Sequence, residues 1–299
     1  MRTLILGEAL VDLICEHPVA APGDADCFVP HFGGAGANVA VTAARAGADV
    51  ALAGGAGEDI WGRWLRDGLQ RAGVALDHFG LLPGIRTGVA FVTVDAGAEP
   101  DFVIYDQGLA AVTEELGPRL VEAVDAAGAF FFSTGTMVGD RERAVTQSAH
   151  ARALERGLPV VFDPNLRPGR WGNPGRATTV ARDCVPGAFL VKANREEARL
   201  LTGEQDPVRA AEALVAAGAQ MAVITLGADG ALLRGAGLRR HVPGRPASPI
   251  NATGAGDTFA GTLLARMAAS GWYAPAVAAG LEEAVEAAAR ATERWGAVE

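Results

Sequence analysis

The sequence predicts an α/β fold: a parallel sheet covered by helices on both faces, with a small second sheet beside it. Three observations carry this expectation. From Phe130 onward, short apolar runs alternate with segments of helical apolar spacing, the rhythm of a parallel sheet with crossover helices. Two extended stretches, about 10–33 and 85–106, interrupt that rhythm in the first third and are placed to pair with each other. Most glycine-rich and polar motifs directly follow apolar runs, where an open α/β sheet binds ligands.

Taken in order, Thr3–Leu6 is a first strand ending at Gly7. Residues 13–32 lack helical periodicity and contain Pro18, Pro22, Gly23 and Pro30, so extended pieces and turns are expected there. A small-residue helix, Val39–Ala46, closes at Gly47, and Val50–Ala53 is a strand. Asp59–Ala72 places Ile60, Trp64, Leu65 and Leu69 at helical spacing and ends at Gly73. Thr87–Val94 and Asp101–Tyr105 read as a hairpin around Asp95–Pro100. Strands follow at Phe130–Phe132, Val160–Phe162, Phe189–Val191 and Ala222–Leu226, with a hairpin beginning at Ala231–Leu233. Helices are expected at Arg141–Arg156, Glu196–Leu201 and Val208–Ala217, after Asp257, and over about 275–294.

The chain has 299 residues, 49% hydrophobic and 20% charged, enough for one large core in a soluble protein. A net charge of −9 without a Lys/Arg run argues against nucleic acid as a partner. No apolar stretch is long enough to span a membrane. Residues 1–14 carry Glu8 and Asp12 and read as a buried strand rather than a signal peptide. Cys15, Cys27 and Cys184 show no metal-type spacing, and an odd, small number suggests a reducing compartment, the cytoplasm.

The stretch Asn251-Ala-Thr-Gly-Ala-Gly-Asp-Thr-Phe-Ala-Gly261 is the most informative. Gly254, Ala255 and Gly256 allow a backbone turn to approach a ligand, and Phe259, Leu263, Leu264 and Met267 follow at helical spacing. A helix start of this kind attracts anions through its free N–H groups. Asp257 is then either an ordinary helix cap or a base beside a phosphate cradle. Gly33-Gly-Ala-Gly-Ala-Asn38 is a second glycine turn before a helix, a plain turn with an Asn cap or a place where Gly34 and Asn38 meet a polar small molecule. Asp12 is a turn residue or an acceptor for sugar hydroxyls. Asp163-Pro-Asn-Leu-Arg167 is a turn whose Arg167 suits phosphate or carboxylate. In Lys192-Ala-Asn194-Arg-Glu-Glu197, Asn194 and Glu197 form a capping box or hold a hydrated Mg²⁺. Thr225-Leu-Gly-Ala-Asp-Gly230 leaves a strand as a glycine turn or a nucleotide loop. The Gly-x-x-x-x-Gly-Lys-Ser/Thr phosphate loop and the dinucleotide fingerprint are both missing.

This ordered set resembles the ribokinase-like (PfkB) family of sugar kinases from Gly7 to Gly296. Phe32–Val41 with Ala-Arg-Ala-Gly47 corresponds to its N-terminal signature, Asn251–Gly261 to its C-terminal one, Asn194 and Glu197 to its Asn-x-x-Glu element, and Ile224-Thr-Leu-Gly227 to its nucleotide strand. The resemblance implies a Rossmann-like three-layer domain over 1–299, with a β-sheet lid from about 10–33 and 85–106. It implies transfer of the ATP γ-phosphoryl group to a sugar hydroxyl. Asp257 would be the base, with the amides of Ala255, Gly256 and Asp257, and so Gly254–Asp257, as anion hole. Lys192, Asn194, Thr225, Gly227, Gly230, Gly254 and Gly256 would meet nucleotide, and Asn194 and Glu197 would organise Mg²⁺ through water. Asp12, Gly34, Asn38, Tyr105 and Arg167 would meet the sugar.

Gly7-Glu-Ala-Leu-Val-Asp12 and Phe162–Pro168 with Trp171 look more like fructokinases and 2-keto-3-deoxygluconate kinases than ribokinase. Ribokinase usually has Lys where Ala35 stands and a sugar-binding Glu near Gly135. Keto-deoxygluconate kinases and many fructokinases carry an Arg in the second lid strand, in a Tyr-Arg pair, where this chain has Tyr105-Asp106; the acid counts against an acidic sugar and leaves a neutral keto-hexose such as fructose favoured. Kinases for 2-keto-3-deoxygluconate, ribose or nucleosides are the same-fold alternatives. A sugar or nucleotide sensor is the non-catalytic one. Asn251 stands where relatives often have the Asp of a K⁺ site, so weak or absent K⁺ activation is expected. An exposed lid sheet leaves edges and an apolar face that a second copy would cover.

Overall fold

The computed structural model describes residues 1–105 and 107–298. The main sheet contains β1 (Thr3–Leu6), β4 (Val50–Gly57), β5 (Phe79–Leu82), β8 (Ala129–Ser133), β9 (Val160–Asp163), β10 (Leu190–Asn194), β11 (Met221–Thr225), β12 (Ala231–Gly235) and β13 (Leu238–Val242). Its order is β13-β12-β11-β10-β9-β8-β1-β4-β5. All pairings are parallel except the terminal β11-β12-β13 meander. A smaller sheet has the order β3-β2-β6-β7, from β2 (Leu10–Pro18), β3 (Val29–Gly33), β6 (Val89–Val94) and β7 (Pro100–Tyr105).

Strand side chains alternate between faces, so each parallel strand feeds two cores. Leu4, Leu6, Phe130, Phe132 and Phe162 pack on one face, and Ile5, Phe131, Val161 and Val223 on the other. The first face is covered by α3 (Gln107–Ala126), α4 (Asp140–Glu155), α5 (Pro174–Asp183), α6 (Arg195–Thr202) and α7 (Pro207–Ala216). The second is covered by α1 (Ala35–Arg45), α2 (Ile60–Arg71), α8 (Ala255–Ala269) and α9 (Ala274–Ala291). The small sheet closes on its own cluster of Leu10, Ile14, Ala90, Val92 and Leu109.

The expected α/β rhythm, the hairpin of residues 87–105 and the pairing of the two extended stretches are all present. Strand β2 joins the stretches, antiparallel to β3 and parallel to β6. Three elements go beyond the expectation. Helix α3 is interrupted by Gly117 (φ 42°, ψ −129°), so its pattern is split where sequence rules read a breaker. Helix α5 starts at Asn173, whose side chain accepts from the Gly175 amide, and β5 is a four-residue edge strand. The chain runs one way from β1 to β4 and the other way from β8 onward. A switch point therefore lies at the carboxyl ends of β1 and β8.

Candidate active site

At that switch point lies a cavity walled by the small sheet and by the loops and helix starts beyond the main sheet. Its lining includes Glu8, Asp12, Gly34 and Asn38 from the first half of the chain, Asn165, Arg167 and Arg170 after β9, and Thr253, Gly254 and Asp257 at the start of α8. Leu10, Ala90, Phe102 and Ile104 of the small sheet form its apolar wall. A larger cleft, near 480 Å³, lies between β3, α1 and α2. It meets α1 at Val41 and Arg45, away from the helix start and from every predicted site residue.

Helix α8 begins behind Gly254, which is left-handed (φ 73°, ψ 1°). A Cβ there would lie 2.1 Å from the Cβ of Ala297, so the turn needs glycine both for conformation and for space. The first bond into the helix runs from the Thr258 amide to the Gly254 carbonyl at 2.8 Å. The Ala255 amide is turned back onto the Ala252 carbonyl at 3.2 Å. The helix start thus offers the Gly256 and Asp257 amides as its outward donors. A Cβ on Gly256 would come within 3.1 Å of Lys192 Nζ, so that cation stands directly behind the turn.

Asp257 makes no capping bond. Its Oδ2 accepts from Asn38 Nδ2 at 3.0 Å and its Oδ1 from Asn165 Nδ2 at 3.4 Å. These amides come from α1 and from the turn after β9, so three distant segments fix one carboxylate. Burial pushes Asp257 up to about 6, opposed by the Asn38 hydrogen bond and by Lys192. Asp12 rises further, to about 8, through burial and then the nearby Asp257 charge. Between those values Asp257 has lost its proton while Asp12 keeps its own. Gly33 makes room for Asp12: a Cβ there would meet the carboxyl carbon at 2.5 Å.

Lys192 on β10 is buried against Asp163 on β9, Nζ to Oδ2 2.8 Å. Burial alone would lower the ammonium, but Asp163, Glu197 and Asp257 outweigh it and raise it. Asn194 and Glu197 form the capping box of α6: Asn194 Oδ1 accepts from the Glu197 amide and Glu197 Oε2 from the Asn194 amide, both at 2.8 Å. Glu197 Oε1 also accepts from the Leu166 amide at 2.9 Å. Burial, then Asp163, raises this carboxyl. Asn194 stands beside Thr225 in the β10–β11 register. Gly227 opens the turn after β11 at φ 63°. Gly230 (φ 91°) is packed against the backbone at Val242–Gly244, so it shapes the β11–β12 connection.

Tyr105 stands outside the cavity lining. Along β7 the residues alternate, and Phe102 and Ile104 line the cavity while Val103 and Tyr105 face outward. Tyr105 is 62% exposed and packs edge-on against Phe91. Asp106 lies outside the described residues. Arg167 does reach the cavity, where its guanidinium sits 5.5 Å from the Phe102 ring centre and ties the small sheet to the main one. Residues missed from sequence are Glu8, Asn165, Arg170, Phe102 and Ile104. Glu8 accepts from the Ala35 amide through Oε1, while its buried Oε2 has no protein partner.

Asp12→Asn is expected to raise the melting temperature at pH 8 and to change it little at pH 4. The folded-state pKa of Asp12 lies above its unfolded value, so the folded protein binds that proton more tightly. Ionisation between about 4 and 8 therefore costs stability, and the variant removes that cost. Thermal melts across pH check this; an unchanged or lowered melting temperature at pH 8 would contradict the buried-charge account.

A buried carboxylate at a helix N-terminus, a cation behind the turn and hydroxyl acceptors across one cavity suit phosphoryl transfer to an alcohol. The pfkB family carbohydrate kinase pattern matches residues 2–293, and the chain belongs to that family. It is a sugar phosphotransferase. Fructokinase-1 of Oryza sativa subsp. japonica is 33% identical over 274 residues, covering 87% of this chain and 81% of that protein. Fructokinase-1 of Zea mays is 31% identical over 270 residues, with the same coverage. Among solved structures, a Vibrio cholerae O395 fructokinase double mutant with fructose, ADP and potassium ion bound superposes with a TM-score of 0.86 at 30% identity, over 99% of this chain and 93% of that one. Aminoimidazole riboside kinase from Salmonella enterica gives 0.84 at 28% identity, over 99% and 95%.

Proposed function

We propose that this kinase phosphorylates a neutral keto-hexose, fructose, with ATP. The observation that carries the reading is Asp257: its buried carboxylate opens, beside the α8 amides, into the cavity that also holds Asp12 and Asn38. Phosphoryl transfer depends on positioning and charge stabilisation. The sugar hydroxyl oxygen bonds to the γ-phosphorus as the bridging P–O bond to ADP breaks, and the hydroxyl proton passes to Asp257. The Gly256 and Asp257 amides and Lys192 receive the charge on the phosphoryl oxygens, while Thr225 and Gly227 meet the nucleotide. Glu8, Asp12, Asn38 and the Gly34 turn hold sugar hydroxyls against the wall of Phe102 and Ile104. The small sheet acts as the lid that excludes water.

Mg²⁺ fits Asn194 and Glu197 only through its water shell. Asn194 Oδ1 and both Glu197 oxygens already accept backbone amides, and each oxygen keeps one lone pair for water. The ion would supply charge neutralisation on the transferring group. ADP release measured over neutral sugars, sugar acids and nucleosides tests the reading. Fructose should stand out; turnover confined to an acid sugar or a nucleoside would replace it.

The rate is expected to be equal in Na⁺, K⁺ and a bulky organic cation. Asn251 is fully buried, its Oδ1 accepts from the Thr253 amide at 2.9 Å, and its side chain brings no charge to hold an ion. A large gain specific to K⁺ would defeat this reading. We also assign a homodimer through the lid, supported by the outward Phe28, Phe91, Val103 and Tyr105. Sedimentation of the intact chain as a monomer at micromolar concentration would remove it. The free thiols of Cys15, Cys27 and Cys184 fit a reducing compartment, the cytoplasm.

A further inference from the structure

The cysteines show no ligand spacing along the chain, yet the fold gathers two of them with a histidine and an aspartate on the outer side of the lid. Cys15 and His17 are two apart on β2 and so share a face. The segment after the Pro22–Asp24 turn brings Asp26 onto them. Cys15 Sγ, His17 Nε2 and Asp26 Oδ1 all lie within 4.8 Å of one another. The sulfur is 3.4 Å from Nε2, and Nε2 is 2.8 Å from the carboxylate oxygen.

We propose that Cys15, His17 and Asp26 bind a borderline-soft divalent cation of the Zn²⁺ class. Two arrangements use these residue types, and the geometry separates them. A nucleophile relay needs the thiol and the carboxylate on opposite ring nitrogens, so that a proton passes through the imidazole. Here both face the same nitrogen, so three donor atoms converge on one point. At Zn–S and Zn–N lengths of ~2.3 and ~2.0 Å, a tetrahedral ion holds sulfur and nitrogen about 3.5 Å apart, close to the spacing present. The Cys15 side chain is fully buried, while His17 and Asp26 are 45% and 78% exposed and give an ion its path from solvent. The β2–β6 register shifts between Ile14 and Pro18, where two of the ligands sit. A bulge re-aims side chains in this way.

A bound ion would clip the segment of Asp26 and Cys27 onto β2. The test uses the intact, reduced chain with excess Mg²⁺ to occupy oxygen-ligand sites, and Co²⁺ as the probe. One equivalent should bind with a sulfur-to-cobalt charge-transfer band, and one equivalent of Zn²⁺ should displace it and raise the melting temperature. Cys15→Ser, His17→Ala and Asp26→Asn should each weaken Co²⁺ at least tenfold. No band in the wild type, or undiminished affinity in any of the three variants, overturns the site. His17 and Asp26 are surface residues, so their variants stay informative if Cys15→Ser folds poorly. Sugar turnover without added Co²⁺ or Zn²⁺ should be unchanged in His17→Ala, which separates failure here from failure of the fructokinase reading.

Discussion

Asp257→Asn is expected to lower turnover by about 10²–10⁴-fold, the usual worth of a positioned general base. The substitution keeps shape and size, so the Michaelis constants for sugar and ATP should move far less than kcat. The wild-type pH profile should carry the same signature. Asp257 must be ionised to take the hydroxyl proton, and burial holds it near 6. Activity should therefore be flat between about 6.5 and 7.5, below the Asp12 ionisation, and fall roughly tenfold per pH unit below about 5.5, as expected when one essential group is protonated. The residual activity of Asp257→Asn should lack that acid limb. Retained turnover in the variant, or an acid limb that survives it, would assign the base elsewhere.

Gly254→Ala is expected to cost about 100-fold in kcat and to destabilise the protein. Two effects add. A left-handed conformation costs a non-glycine residue about 1–2 kcal/mol. The new methyl would also stand 2.1 Å from the Ala297 Cβ and 2.7 Å from its Cα, so the turn or the C-terminal segment must shift. The amides of Gly256 and Asp257 shift with the turn, and an ångström of misplacement costs on the order of 10² in rate. Steady-state kinetics and a denaturant titration measure both parts. Gly256→Ala is the contrast: its methyl would meet no backbone, only the tip of Lys192 at 3.1 Å, so the turn itself keeps its place. If both variants lose the same activity, the steric account of Gly254 is wrong.

The layers were legible because strand and helix periods are properties of consecutive residues. Phe130–Phe132 and the helix after Asp257 declare themselves within a few positions. The glycine turns were legible for a similar reason, since Gly254 and Gly34 answer local backbone demands. The outward placement of Tyr105 was not legible, because alternation tells which residues share a face but not which face meets the cavity. That phase is set by the β2–β6 and β6–β7 registers, which are long-range pairings. Glu8 and Asn165 gave no signal because their roles arise where segments far apart in sequence meet: Glu8 at the start of α1, and Asn165 on Asp257 across 92 positions. The Cys15, His17 and Asp26 cluster was hidden likewise, since a bulged strand and a loop supply its members.

The contact between Gly254 and Ala297 extends the reaction centre into the tail of the chain. Ala297 is fully buried and is not among the residues lining the cavity. Yet it forms the back wall of the turn that presents the α8 amides. Sequence drift at position 297 is therefore not neutral: a larger side chain there would act on catalysis from behind. Among relatives, positions 254 and 297 should vary as a pair or not at all.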